Sequence, residues 1–152
     1  MGLCMLLATA LVGLPIAQST VPTINGFNLT WSDDFVGTAK TLPSSSNWII
    51  TTGTSYPGGA SNWGTGEVET YTSSTNNLAL DGNSRLVITA LKSSSGAWTS
   101  GKIETVRKDF MAKPKGKMRI QASLNLPDVG ANSLGYWPAF WTLGAVFRGT
   151  YT

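Results

Sequence analysis

Histidine is missing from all 152 residues, and cysteine occurs once, at Cys4. Without an imidazole this sequence holds no Ser-His-Asp or Cys-His nucleophile pair and no His-ligated zinc. Without a second thiol it holds no internal disulfide, so stability has to come from a core. Charge is also sparse, at 12% of residues. Chemistry is therefore left to a few carboxylates, Lys, Tyr or a bound ion. No apolar run reaches the roughly 20 residues of a membrane-spanning helix. The uncharged apolar stretch over residues 1–17, broken by Pro15 and followed by small and polar residues, reads instead as a secretory leader. We expect a signal peptide over 1–19, cleaved between Ala17 and Thr20, with an uncleaved anchor as the alternative. Cys4 leaves with that leader. The mature part is then a single domain over 20–152 of an extracellular protein.

What is present is β patterning with turn formers between. Phe27, Leu29 and Trp31 alternate with polar residues, and Trp48, Ile49 and Ile50 form a short apolar run. Residues 51–66 (TTGTSYPGGASNWGTG) have no period and read as a long loop, with Tyr56 and Trp63 hinting at a function. Strands are predicted over 67–72, at Leu78 and Leu80 before an Asp81-Gly82 turn, and over 85–91, which is apolar on both faces. Residues 117–126 alternate strictly: Met118, Ile120, Ala122, Leu124 and Leu126 point one way and polar side chains the other. No sustained 3.6-residue period follows the leader. The pattern indicates a sandwich or barrel.

The net charge of +3 is concentrated in residues 107–119 (RKDFMAKPKGKMR). This run straddles a Pro-Lys-Gly turn between strand patterns and lacks the stacking aromatics of a single-strand binder, so its bases read as solvated hairpin ends and no nucleic-acid partner is expected. The sequon Asn28-Leu29-Thr30 is open to glycosylation in a eukaryotic secretory path, or is a chance match. Glu67 and Glu69 fall on one strand face, roughly 7 Å apart. They read as solvated acids more readily than as an acid–base pair. Read as a strand, residues 135–144 (GYWPAFWTLG) put Trp137 and Trp141 on one face, roughly 13 Å apart. Indole faces can stack on the C–H face of a pyranose, or both rings can fill a core. Pro138 favours an edge or a bulge.

Taken in order, the blocks Trp31-Ser32-Asp33-Asp34-Phe35, Trp63-Gly64-Thr65-Gly66-Glu67-Val68-Glu69-Thr70-Tyr71-Thr72, Leu86-Val87-Ile88-Thr89-Ala90, Thr99-Ser100-Gly101-Lys102-Ile103-Glu104-Thr105 and Gly116-Lys117-Met118-Arg119, closing with residues 135–144, resemble glycoside hydrolase family 16. The likeness is nearest to the fungal secreted endo-1,3(4)-β-glucanases. It implies an all-β jelly-roll sandwich of the concanavalin A-like lectin and glucanase type, with a β-glucan cleft on its concave face. It also implies a retaining mechanism by a Glu-x-Asp-x-(x)-Glu strand placed after the tryptophan-rich one, whose two glutamates stand roughly 5 to 5.5 Å apart. No Glu-x-Asp occurs in this sequence. On the resemblance, the chain is an N-terminal part of such a domain that stops before its catalytic carboxylates and is inactive alone. The alternative is a non-catalytic β-glucan-binding protein of the same fold. Trp137, Trp141 and Lys102, which stands where relatives often carry an arginine, are the implied substrate contacts. No catalytic residue, metal or cofactor is assigned. The expected partner is a β-glucan, with no membrane association after leader cleavage, and the chain is expected to be a monomer.

Overall fold

The computed structural model describes residues 21–132 and 134–144. The expected leader over 1–19 lies outside them, as do residues 145–152. Regular structure is β throughout, apart from two short 3-10 turns at Ser61–Gly64 and Gly130–Asn132. The strands are β1 (Trp48–Thr51), β2 (Glu69–Tyr71), β3 (Leu78–Leu80), β4 (Leu86–Ile88), β5 (Leu91–Lys92), β6 (Trp98–Ser100) and β7 (Lys102–Thr105). Strands β1 and β7 pair antiparallel, with Thr51 opposite Lys102 and Trp48 opposite Thr105. A second sheet has β6 at its centre, parallel to β2 and antiparallel to β5. Strands β3 and β4 form a third, antiparallel pair. A two-way backbone bridge from Gly53 to Tyr71, at 2.9 and 3.0 Å, ties the end of the first sheet to β2.

These sheets meet over a small interior. Among the described residues Pro43, Thr51, Asn77, Leu78, Leu80 and Gly101 are buried. Asn77 makes up for its burial by full pairing. Thr72 Oγ1 donates to its Oδ1 at 2.7 Å, and its Nδ2 donates to the Thr89 carbonyl at 2.9 Å and to Thr99 Oγ1 at 3.1 Å. Its main chain binds Ser74 and Thr89 as well. One amide therefore joins the segment after β2 to the β4–β5 connection and to β6. Gly101 lies directly against this hub. A Cβ there would meet the Asn77 carbonyl and Leu78 Cβ, both at 3.1 Å, so the chain can turn from β6 into β7 over the hub only without a side chain.

The patterns at Trp48–Ile50, within 67–72, at Leu78–Leu80 and at the Asp81-Gly82 turn correspond to the observed elements. Three expected strands are not formed. Residues 27–31, 117–126 and 135–144 have no strand structure. A strand exists as a ladder, and among the described residues no second strand lies beside these segments to complete one. Their apolar side chains are uncovered accordingly: Met118 is 48% exposed, Leu124 59% and Leu126 57%. The predicted strand over 85–91 breaks at Thr89-Ala90 into β4 and β5, and Val87 and Ile88 are exposed rather than enclosed on both faces, because among the described residues β4 pairs with β3 alone.

Replacing Asn77 by Leu strands the Thr89 carbonyl and two threonine hydroxyls in the interior. The expected loss is about 2–3 kcal/mol of unfolding free energy, read as a lower urea midpoint for the variant. An unshifted midpoint would show that the hub is not holding the sheets.

Candidate functional site

Strand β7 alternates, so Lys102 and Glu104 project from the same face, and in β2 Glu69 and Tyr71 do the same. The side chains of these two strands are gathered by the loop over residues 51–66. That loop folds tightly because the Asn62 carbonyl accepts the main-chain N–H groups of Thr65, Gly66 and Glu67, while Trp63 N–H donates to the Thr54 carbonyl. Asn62 and Trp63 both take positive φ, 49° and 55°. For a bulky L-residue such as Trp63 this backbone costs on the order of 1–2 kcal/mol. The cost is carried at the point where the indole is delivered to the cluster.

Trp63 packs edge-on to Tyr56 at 4.8 Å between ring centroids and tilted against Tyr71 at 5.6 Å. Lys102 Nζ lies 3.8 Å from the Trp63 ring centre, 5.3 Å from Tyr56, 5.5 Å from Tyr71 and 5.9 Å from Trp141. These rings come from three separate parts of the chain. The carboxylates are held by neutral donors. Thr51 Oγ1 donates to Glu104 Oε1 at 2.9 Å, and Tyr56 Oη donates to the same oxygen. Tyr71 Oη lies 2.6 Å from Glu67 Oε2 and 3.0 Å from Glu69 Oε1, and Thr65 Oγ1 donates to Glu67 Oε1 at 2.9 Å.

Burial lowers the Lys102 ammonium below the ordinary lysine value, with Glu67 and Glu104 opposing the shift. Burial, and then the hydrogen bond to Glu67, pushes the Tyr71 phenol far above its ordinary value, so it remains a donor. The cluster thus offers aromatic faces, one ammonium donor and several carboxylate acceptors. That is a chemistry suited to a polyhydroxylated ligand. Among the described residues no group of three or more His, Cys, Asp or Glu is placed to hold a metal ion.

Of the three site residues expected from sequence, Lys102 and Trp141 come together. Trp137 is 74% exposed and presents its ring to solvent. Tyr71 and Glu104 were not singled out from sequence as site residues. Tyr71 was readable only as one more residue of a polar strand, although it shares the face of Glu69. Asp33 serves structure: it accepts Trp48 Nε1 at 2.7 Å, Asn47 Nδ2 at 2.9 Å and the Phe35 main-chain N–H at 2.8 Å. It thereby fixes the edge-on Trp31–Trp48 and stacked Phe35–Trp48 pairs.

Tyr71 makes the stability of the protein sensitive to alkali. Its folded value lies above the ordinary 10.0, so its contribution is complete below pH 10 and is lost as pH rises beyond that. Comparing thermal unfolding between pH 9 and 11, we expect a smaller alkaline loss in Tyr71→Phe than in the parent chain. Identical pH profiles would contradict this.

No protein-family model matches the chain. It is 34% identical over 141 residues to glucan endo-1,3-beta-glucosidase A1 of Niallia circulans, a match that takes in 86% of this chain and 19% of that protein. Among solved structures it is similar to an endo-1,3-beta-glucanase from Streptomyces sioyaensis, with 53% identity and a TM-score of 0.59 over 62% of this chain and 34% of the other. A glycosyl hydrolase family 16 protein from Mycobacterium smegmatis aligns at 32% identity and a TM-score of 0.41, over 49% of this chain and 33% of that one. The chain therefore spans about a fifth of the curated relative and about a third of the solved ones.

Proposed function

We propose that the chain belongs to glycoside hydrolase family 16, among its β-glucanases, with the jelly-roll β-sandwich of that family, and that it is the glucan-binding part of a secreted, retaining endo-1,3(4)-β-glucanase, with no Glu-x-Asp among its 152 residues. The observation that carries this reading is the ring cluster around Lys102, in a chain that over 62% of its length is 53% identical to a solved endo-1,3-beta-glucanase. A pyranose presents apolar C–H faces and equatorial hydroxyls, so it needs flat rings beside fixed donors and acceptors. Trp141 supplies a ring 57% open to solvent, and Trp137 a second one further along the same segment. Lys102 supplies a donor, and Glu67, Glu69 and Glu104 supply acceptors.

Hydrolysis is another matter. Retention requires a nucleophile and an acid–base carboxyl roughly 5 to 5.5 Å apart across a bound sugar. In this cluster the carboxylates are engaged by Tyr71, Tyr56, Thr51 and Thr65, and the sequence contains no Glu-x-Asp. Export is assigned to the segment over 1–19. Among the described residues no helix is long and apolar enough to cross a membrane.

The purified 152-residue chain is expected to be retarded in native gels containing laminarin and to release no reducing sugar from it. Trp141→Ala should weaken the retardation by about tenfold, the size of one lost ring contact of about 1.4 kcal/mol. Release of reducing sugar, or migration indifferent to laminarin, would overturn the reading.

A further inference from the structure

Lys102 is placed in an unusual way for a lysine. Most lysines carry the ammonium outward into water, but this one turns it among four rings, with the nearest ring centre 3.8 Å away. Three carboxylates belong to the same cluster. Glu67 and Glu69 meet at Tyr71 Oη, and Glu104 shares the β7 face with Lys102. The groups that donate to them, Tyr56, Tyr71, Thr51 and Thr65, are neutral. Glu67 and Glu104 are the acids whose charge acts on this ammonium. In addition, the Trp63 Nε1–H is buried with no acceptor among the described residues. Aromatic walls with acidic groups beside them are how proteins hold organic ammonium ions.

We propose that these residues form a cation box whose resident is Lys102, and that this built-in ammonium sets charge selectivity in the cleft, admitting neutral glycans and refusing cationic amino sugars. The selectivity half rests on the glucan-cleft reading above; the box itself does not. With Lys102 present, a second cation arriving at Trp63 or Trp141 meets a like charge a few ångströms away. With Lys102 replaced by an uncharged side chain, the rings and the acids remain, a setting suited to an alkylammonium or the 2-ammonium of a glucosamine unit. Methionine is the suitable replacement because it keeps a long apolar stem and removes only the charged head.

The experiment uses the full chain and its Lys102→Met and Lys102→Gln variants. The box is probed with tetramethylammonium chloride, followed by tryptophan fluorescence, with sodium chloride at equal ionic strength as the reference. Both variants should give a saturable change that the parent lacks, and adding Trp63→Ala to Lys102→Met should abolish it. Equal responses from parent and variants would overturn the box, and two variants guard against a folding failure in one. In native gels, glucosamine oligosaccharides should bind the variants at least about tenfold more tightly than the parent. A gain with tetramethylammonium but none with glucosamine oligosaccharides would overturn the selectivity role. If the variants take up tetramethylammonium while the parent ignores laminarin, the box stands and the glucan-cleft reading fails.

Discussion

The carboxamide of Asn77 is the constraint on which the rest of the described structure depends. It is 3% exposed, and both of its polar atoms are bonded, to Thr72, Thr89 and Thr99. A buried amide left short of partners costs on the order of 1–3 kcal/mol for each orphaned group, so the three segments it joins are held in one relative position. Leu78, fully buried beside it, adds the apolar part. Gly101 then passes within contact distance of both. That passage fixes where β7 starts, and hence where Lys102 emerges opposite Thr51. A polar bond in the interior thus determines the location of the cation in the ring cluster.

The energetics of the ring cluster are of a different kind. The downward displacement of Lys102 means that burial of the ammonium outweighs the attraction of Glu67 and Glu104. Cation–ring contacts recover about 0.5–2 kcal/mol, and water still reaches part of the site. Such an arrangement contributes little to net stability and much to geometry. It ties the segment carrying Trp141 to β7, and the edge-on contact of Tyr136 with Trp98 provides a second tie at 5.8 Å. The left-handed backbone at Trp63 fits the same description, since local strain is spent on aiming one ring.

The sequence was legible where structure is local. A short apolar run located β1, the patterns over 67–72 and at Leu78 and Leu80 located β2 and β3, and the Asp81-Gly82 pair located a turn, with Gly82 at φ 82° and Asp81 Oδ1 accepting the Asn83 N–H. Pairing was not legible, because β1 meets β7 across fifty residues and β2 runs parallel to β6; nothing in either segment names its partner. The same gap explains Tyr71. Its phenol became part of the site only when the loop bearing Tyr56 and Trp63 folded over it. Lys102 and Trp141 were named through family resemblance, and spacing alone left Trp141 between core and ligand roles.

The segment over 117–126 shows most clearly what alternation encodes. Its ten residues specify an apolar face without fault, yet that face stands in water, with Ile120 46% exposed and Leu126 57%. Period two states that one side of a strand is meant for burial. It says nothing about what supplies the opposing surface. Some two thirds of the solved glucanase lies outside its match to this chain, so the likeness that identifies the fold does not itself furnish a cover for these side chains. In a β-sandwich a strand is stabilised by its ladder and by the facing sheet together. Residues 117–126 have neither among the described residues, and the well-patterned segment is therefore irregular while the less obvious Leu78–Leu80, with β4 beside it and Gly101 against it, is ordered and buried.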